Sequence, residues 1–361
     1  MKQHIAVAIS GGIDSLYTAH HLIQSGHEVT GIHFITGYGG FPEIPAHPDG
    51  RVVVQGNPDQ RTVSAMSCLS ARLGIPIHIL DLTDLFENLV VHDFVAQYQN
   101  GKTPNPCLVC NPGIKFGRVL DYALSLGADR LATGHYARVE TDSGLARLYK
   151  GLDTTKDQSY FLAFLNQTQL KRALFPLGRL SKADIVEKAK AAGLAPLIRK
   201  ESQDVCFIHD DYKAFLLSRS GFRHENGEIR TTDGKKVGTH TGLHSFTIGQ
   251  RRGINCPAAF PYYVIRLDTE SNTLVVGSKD DLLSDRLSVR NPSWIQENSP
   301  DFPLTALTRI RYSHKGVPAT VHRDDQGTLD VTCHEPVLSV TPGQGAVFYR
   351  EDEVLGAGWI V

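Results

Sequence analysis

Three absences bound this chain of 361 residues. No apolar run approaches the roughly 20 residues that a bilayer-spanning helix needs. The opening Met1-Lys2-Gln3-His4-Ile5 passes straight into a strand-like segment, with no signal-peptide apolar core. No membrane role is expected, and a cytoplasmic location is. An excess of one charge is also missing: 37 Lys and Arg against 38 Asp and Glu leave a formal net charge of −1. Any nucleic-acid partner must therefore be met by local patches, not by a global basic field. Six cysteines, in a chain this long and without a secretory signal, do not make a disulfide framework. They point to metal, redox or catalytic use. Internal repeats and low-complexity tracts are absent too. What remains, 41% apolar and 21% charged, is a soluble globular composition with room for about two or three domains.

From residue 1 to 208 strand-like and helix-like segments alternate. Ile5–Ile9, Glu28–Phe34, Ile75–Leu82 and Arg130–Thr133 read as buried strands; Ser15–Ser25, Gln60–Leu73, Asp84–Gln99 and Ile114–Leu126 read as helices. This alternation implies an α/β fold, a doubly wound and mostly parallel sheet, with its ligand at the C-terminal ends of the strands. Two further helices are expected around Asp157–Leu165 and Lys182–Ala192, the second opened by Ser181 and closed by Gly193. Residues 36–58, rich in Gly and Pro, read as a long loop without an assigned place. Residues 209–283 form a small central domain of short Gly-, Thr- and His-rich segments. From 284 to 361, strands separated by Asp324-Asp325-Gln326-Gly327, Thr341-Pro342-Gly343-Gln344 and Glu351-Asp352 suggest an antiparallel β-barrel or sandwich.

Chemistry first shows at Ser10-Gly11-Gly12-Ile13-Asp14-Ser15, between an apolar strand and a helix. Glycines let backbone N–H groups close on an anion, and the helix N-terminus adds partial positive charge. The loop is too short for G-x-x-x-x-G-K-[ST] and lacks the spacing of G-x-G-x-x-G. Its serines can donate to phosphate, and Asp14 can hold Mg²⁺. It resembles the PP-loop of N-type ATP pyrophosphatases, which cleave ATP to AMP and pyrophosphate. Cys107 and Cys110 form a C-x-x-C that is expected to sit in a loop with Pro104, Pro106 and Pro112. A zinc half-site would need a second ligand pair, and Cys68, Cys256 and Cys333 stand alone. A thioredoxin-like motif would sit on the first turn of a helix after a strand, without flanking prolines. A catalytic thiol or cluster ligand that meets another cysteine is the third reading. Cys206, after Lys200-Glu201-Ser202-Gln203-Asp204-Val205, is the candidate partner.

With these stand Ile114-Lys115-Phe116-Gly117, Ala132-Thr133-Gly134-His135-Tyr136, Lys156-Asp157-Gln158-Ser159-Tyr160, Phe246-Thr247-Ile248-Gly249-Gln250-Arg251, Arg309-Ile310-Arg311-Tyr312 and Thr341-Pro342-Gly343-Gln344-Gly345. In that order, over nearly the whole chain, the set resembles the tRNA-specific 2-thiouridylase family. The resemblance implies a PP-loop domain, a small central domain and a C-terminal β-barrel. It also implies ATP-dependent thiolation of C2 of the wobble uridine of tRNA, by adenylation of the C2 oxygen followed by sulfur transfer.

Carried over by position, ATP would be bound by Ala8, Ile9, Ser10, Gly11, Gly12, Ile13, Asp14, Ser15, Phe34 and Gly134. Cys206 would carry the persulfide, Cys110 would be its partner nucleophile, and a Cys110–Cys206 disulfide would close as the sulfur leaves. Asn105, Pro106 and Cys107 would surround a flipped base. His135, Lys156, Asp157, Gln158, Arg311, Tyr312 and Gln344 would meet the rest of the tRNA. The sulfur donor would be a cysteine desulfurase or a sulfur-relay protein. Two departures stand out. Some members carry Asp at position 107, so Cys107, Cys110 and Cys206 make three thiols, enough to ligate an iron–sulfur cluster. The family's acidic, Trp-containing segment after the second strand is replaced here by Ile35-Thr36-Gly37-Tyr38-Gly39-Gly40. Rival functions are an amidotransferase-type synthetase, which has no use for three placed cysteines, and a non-catalytic tRNA-binding protein.

Overall fold

A computed structural model describes residues 2–198, 205–208, 211–219, 221–257, 260–296 and 298–361. Six parallel strands form the first sheet: β1 (His4–Ala8), β2 (Glu28–Ile35), β3 (Val52–Gln55), β4 (Ile77–Asp81), β5 (Arg130–Ala132) and β8 (Ala173–Leu174), in the order β3-β4-β2-β1-β5-β8. Ile5, Ala6 and Val7 are fully buried, as befits a parallel strand covered by helices on both faces. Strand order reverses at β1, which pairs with β2 on one side and β5 on the other. The crevice at a reversal of this kind, beyond the strands' C-terminal ends, is where open α/β sheets bind ligands.

Local sequence explains the helices. Helix α1 (Ile13–Gln24) follows the Gly-rich turn, and α2 (Gln60–Leu73) is opened by Asp59, which accepts from Thr62 N–H at 2.8 Å. The Ser181 hydroxyl accepts from Asp184 N–H at 3.1 Å and opens α6 (Lys182–Ala191), and Gly193 follows its end at φ +69°. Helix α3 covers residues 83–99 with a π-helical turn at Glu87–Val91. Helix α4 covers 107–125 with a π-helical stretch at Asn111–Val119. A short α5 (Gln167–Arg172) carries a capping box from Asn166 and Gln169. Among the described residues, no helix is long and apolar enough to cross a membrane.

Four expectations are corrected. The C-x-x-C is not in a loop: Cys107–Cys110 is the first turn of α4, with Pro106 supplying the pre-set φ favoured at a helix start. Residues 36–58 contain an edge strand, β3, paired in parallel with β4. Asp157–Leu165 is a single 3-10 turn, Ser159–Leu162, because the Asp157 carboxylate draws Ser159 N–H (3.0 Å) and Gly151 N–H (3.1 Å) into local bonds that compete with an α-helix. The hairpin β6 (Ala137–Asp142) and β7 (Leu145–Lys150) lies inside the first segment yet joins the C-terminal sheet, β7 pairing with the last strand, β18 (Glu353–Ile360), through Tyr149 and Glu353.

That sheet is an antiparallel barrel of β13 (Leu283–Trp294), β14 (Leu304–Arg309), β15 (Val317–Arg323), β16 (Leu329–Leu338), β17 (Gly345–Arg350) and β18 (Glu353–Ile360). A register shift between Arg290 and Ser293, with Asn291 at φ +50°, lets β13 pair with both β16 and β18 and close the barrel. Leu329, Val331, Cys333 and Val337 alternate inward along β16 into its core. Between the two, helix α7 (Tyr212–Leu217) precedes a four-stranded sheet with order β10-β9-β12-β11, built from β9 (Gly227–Thr231), β10 (Lys236–His240), β11 (Tyr263–Asp268) and β12 (Thr273–Gly277).

Candidate active site

The C-terminal ends of β2, β1 and β5 set Phe34, the Ser10–Ser15 loop and Gly134 side by side. Gly11 stands at φ +84°, and a Cβ there would come within 2.8 Å of the Phe41 ring, so glycine is required on both counts. Gly134 faces Asp14 and Ser15 so closely that a Cβ would lie 3.0–3.2 Å from them. The loop is braced from within. The buried Ser15 hydroxyl donates to Gly12 C=O at 2.9 Å and accepts from Ser10 N–H at 3.2 Å and the Ser10 hydroxyl at 3.1 Å. No side chain caps the N-terminus of α1, which leaves its first-turn N–H groups for an anion. Asp14 is bound on three sides: Lys182 Nζ lies 2.8 and 2.9 Å from its two oxygens, and the Tyr136 hydroxyl donates at 2.8 Å. Lys182 is the first residue of α6, and its own N–H donates to Asp153 at 3.0 Å.

The second cluster lies on α4. Asn105 accepts from Cys107 N–H at 3.2 Å, and Cys110 N–H reaches back to Pro106 at 2.8 Å. Pro112 has no N–H to donate within the helix, and the widened π-helical stretch carries the chain past it. A Cβ at Gly117 would lie 2.8 Å from the Pro112 carbonyl oxygen, so that turn demands glycine. Bonds of the π type reach five residues back, which stacks Lys115 on the turn after Cys110. Lys115 Nζ lies 3.5 Å from His135 Nε2, and His135 Nδ1 lies 2.7 Å from the Thr133 hydroxyl. Burial, and then the Lys115 charge, hold the His135 imidazole well below its usual range. Burial pushes Cys107 up to about 11 and Cys110 up to about 12; Lys115 opposes both, and a charge on Cys206 would add to both. Cys206 is also raised by desolvation against Lys115. It is exposed, so its desolvation counts for less. At Cys107 and Cys110 a proton must therefore leave before either acts as a nucleophile. The Lys115 charge acts on all three cysteines, but among the described residues no three His, Cys, Asp or Glu side chains converge as a metal-ligand set. Cys107, Cys110 and Cys206, the expected cluster ligands, do not form such a set in this structure. Lys200-Glu201-Ser202-Gln203-Asp204 lies outside the described residues.

The expected tRNA residues divide. Tyr312 is exposed, its ring 4.4 Å from that of Phe161, and Arg311 bonds Leu338 C=O at 3.4 Å beside it. Lys156 and His135 remain partly exposed. Asp157, by contrast, is 6% exposed and engaged by Gly151, Ser159 and Arg309 (3.0 Å). Gln158 accepts from Tyr136 N–H at 3.1 Å. Gln344 donates to Thr103 C=O at 2.7 Å, while Thr103 N–H donates to Pro342 at 2.9 Å. Asp157, Gln158 and Gln344 thus take part in the site's hydrogen-bonded framework.

Full-length relatives decide the family. The chain is 46% identical over 357 residues to the tRNA-specific 2-thiouridylase MnmA of Desulfosudis oleivorans, covering 99% of this chain and 94% of that one. It is 43% identical to the Syntrophotalea carbinolica protein of the same name (99% of each chain) and 40% identical to that of Chlorobium phaeobacteroides (100% and 98%). The chain belongs to the tRNA-specific 2-thiouridylase family. Family models match residues 3–210 (tRNA methyl transferase HUP domain), 213–278 (tRNA methyl transferase PRC-barrel domain) and 284–360 (Aminomethyltransferase beta-barrel domain). Sequence reasoning passed over three residues of this family member's site. Lys115 stood in a quoted motif without a role, because α-helical spacing does not align it with Cys110. Tyr136 and Lys182 carry no local signal, since their partner Asp14 is more than a hundred residues away.

Proposed function

We propose that this protein thiolates C2 of the wobble uridine of tRNA at the expense of ATP. The observation that carries the proposal is the union of an uncapped phosphate loop at a sheet switch point with Cys107 and Cys110 on the first turn of α4 and an exposed Cys206. The family models are described by methyl transfer and the relatives by thiolation; three thiols have a use only in the second.

The C2 carbonyl oxygen attacks the α-phosphate, pyrophosphate leaves, and the oxygen becomes part of AMP, a good leaving group. Ser10 through Ser15 grip the phosphates, with Ala8, Ile9, Phe34 and Gly134 lining the nucleotide. The Asp14 carboxylate would hold Mg²⁺, whose charge would offset that of the phosphates; Lys182, which pairs with Asp14, turns to a phosphate oxygen. The persulfide on Cys206, supplied by a cysteine desulfurase or relay protein, delivers sulfur. Deprotonated Cys110 attacks the Cys206 sulfur, the Cys110–Cys206 disulfide forms, and hydrosulfide departs. Hydrosulfide adds to C2 and AMP leaves; two electrons from a thiol reductant then reopen the disulfide. Asn105, Pro106 and Cys107 surround the flipped base, and Lys156, His135, Arg311 and Tyr312 contact the RNA. No step passes through an iron–sulfur cluster.

Single-turnover thiolation by cysteine variants tests the relay. Cys110→Ala and Cys206→Ala should abolish thiolation while pyrophosphate release persists, and Cys107→Ala should retain part of the activity. Loss of activity together with bound iron in all three variants would overturn the relay in favour of a cluster.

A further inference from the structure

Cys206 and Phe207 are the central residues of a turn closed by Ile208 N–H on Val205 C=O at 3.0 Å. The turn sends their side chains into opposite surroundings: Cys206 is exposed, whereas Phe207 is 2% exposed. Four rings from three separate parts of the chain enclose Phe207. Tyr38 lies 5.6 Å away, Phe86 5.6 Å, Phe94 5.2 Å and Phe215 5.4 Å, all within the range of favourable edge and tilted contacts. Phe86 and Phe94 are eight apart and would diverge on a plain α-helix. The π-helical turn Glu87–Val91 inserts one residue between them, so they share a face as residues seven apart normally do.

The enclosure is fastened by polar bonds. Glu87, the first residue of that π turn, accepts from the Tyr38 hydroxyl at 2.5 Å and from Arg219 Nη1 at 2.7 Å. Arg219 Nη2 donates to the same Tyr38 hydroxyl. The guanidinium lies 4.6 Å from the Phe215 ring centre and 5.8 Å from that of Tyr38. Tyr38 stands between Gly37 and Gly39, both at positive φ, so its side chain, not its backbone, holds it there. It lies three residues beyond the end of β2, whose Phe34 belongs to the nucleotide side.

We infer that this aromatic clasp is a positioning device for sulfur transfer: Phe207 hooks the Cys206 turn into it, and the Glu87–Tyr38–Arg219 latch keeps it shut. The inference rests on the relay proposed above. Tyr38, Glu87, Phe207 and Arg219 are positioning residues that act through Cys206 and touch no substrate. A lone turn carrying a thiol samples many directions; a hook beside the thiol leaves it few, and misplacement by about 1 Å is enough to cost two orders of magnitude in a reaction between placed groups.

The test measures the rate at which diamide, taking two electrons from two thiols, links Cys110 to Cys206 in the reduced full-length protein. Peptide mass spectrometry identifies the link. Tyr38→Phe keeps the ring and removes the latch, and Arg219→Gln removes the charge; each should slow the link by about tenfold. Alkylation of Cys206 by iodoacetamide and the KM for ATP in pyrophosphate release should hold, and Arg219→Lys should recover part of the rate. Variants that link as fast as the unaltered protein would overturn the clasp alone. If the unaltered protein thiolates tRNA but never forms the link, the relay falls, and the clasp's role with it.

Discussion

Replacing Lys182 with methionine separates two uses of a cation beside a phosphate loop. Its ammonium lies 2.8 and 2.9 Å from the Asp14 oxygens, and the side chains are 14% and 31% exposed. Methionine keeps the stem and removes the charge. If Lys182 only neutralises Asp14, the loss strands a half-buried carboxylate against Tyr136, at roughly 1–3 kcal/mol of stability. ATP binding would then stay as it was. If Lys182 also serves a phosphate oxygen, a charge-assisted bond worth about 1.5–3 kcal/mol disappears from the nucleotide complex. At 1.4 kcal/mol per decade this raises the KM for ATP roughly 10- to 150-fold. The assay is pyrophosphate release at saturating tRNA, with melting temperature recorded alongside. The double variant Asp14→Asn/Lys182→Met removes the stranded charge, so it should regain the melting temperature and not the KM. An ATP KM that stays within about twofold of the original in Lys182→Met would refute the phosphate role.

Three other outcomes follow from the same geometry. Burial lifts Cys107 from 9.0 to about 11 and Cys110 to about 12, so the folded protein keeps protons that the unfolded chain releases above pH 9. The stability this contributes is complete below pH 9 and lost as pH rises through the two folded values; denaturant midpoints should fall over that window, less so in Cys107→Ala/Cys110→Ala, and equal slopes would contradict it. Arg309→Ala breaks a pair with Asp157 in which the side chains are 12% and 6% exposed, so it should cost about 3–5 kcal/mol in calorimetry, and a change below about 1 kcal/mol would show the pair to be dispensable. For tRNA binding, log Kd should change with log salt by a slope matching a few phosphates, and Lys156→Ala or Arg311→Ala should each lower it by about one; salt-independent binding would remove the backbone contacts.

Much of the fold was legible because its signals are local. Gln60–Leu73 carries its cap in Asp59 and its stop in Gly74, and both ends lie where the pattern put them. The phosphate loop was legible for the same reason: strand, glycines and helix follow one another in sequence. The misses are non-local. Whether Ala137–Lys150 belongs to the parallel sheet or the barrel is decided by pairing with β18, some two hundred residues later. Lys182 is visible as a site residue only once Asp14 is beside it. The π turns in α3 and α4 move Phe94 and Lys115 onto faces that a period of 3.6 does not give them, and those two displacements built much of the site. Asp157 and Gln344 also carry a framework role that the motifs did not reveal, through bonds to Arg309 and Thr103 far along the chain.

Thr103 shows why that framework matters to the chemistry. Its N–H and C=O are held by Pro342 and Gln344 of the barrel, and its hydroxyl lies 3.4 Å from that of Thr247 in the central segment. Four residues later α4 begins with Cys107, and Asn105 in between holds the first N–H of that helix. The backbone that presents Asn105, Pro106 and Cys107 is thus set by the later parts of the chain as well as by the parallel-sheet domain. Gly343 packs so tightly on this segment that a Cβ would lie 3.1 Å from Thr103 backbone atoms, and at φ +91° it is strained for any other residue. A barrel built only to grip RNA would not need that approach. The closeness follows if the barrel's loop also fixes the thiol helix, so that the surface carrying Tyr312 and the helix carrying Cys110 keep one geometry.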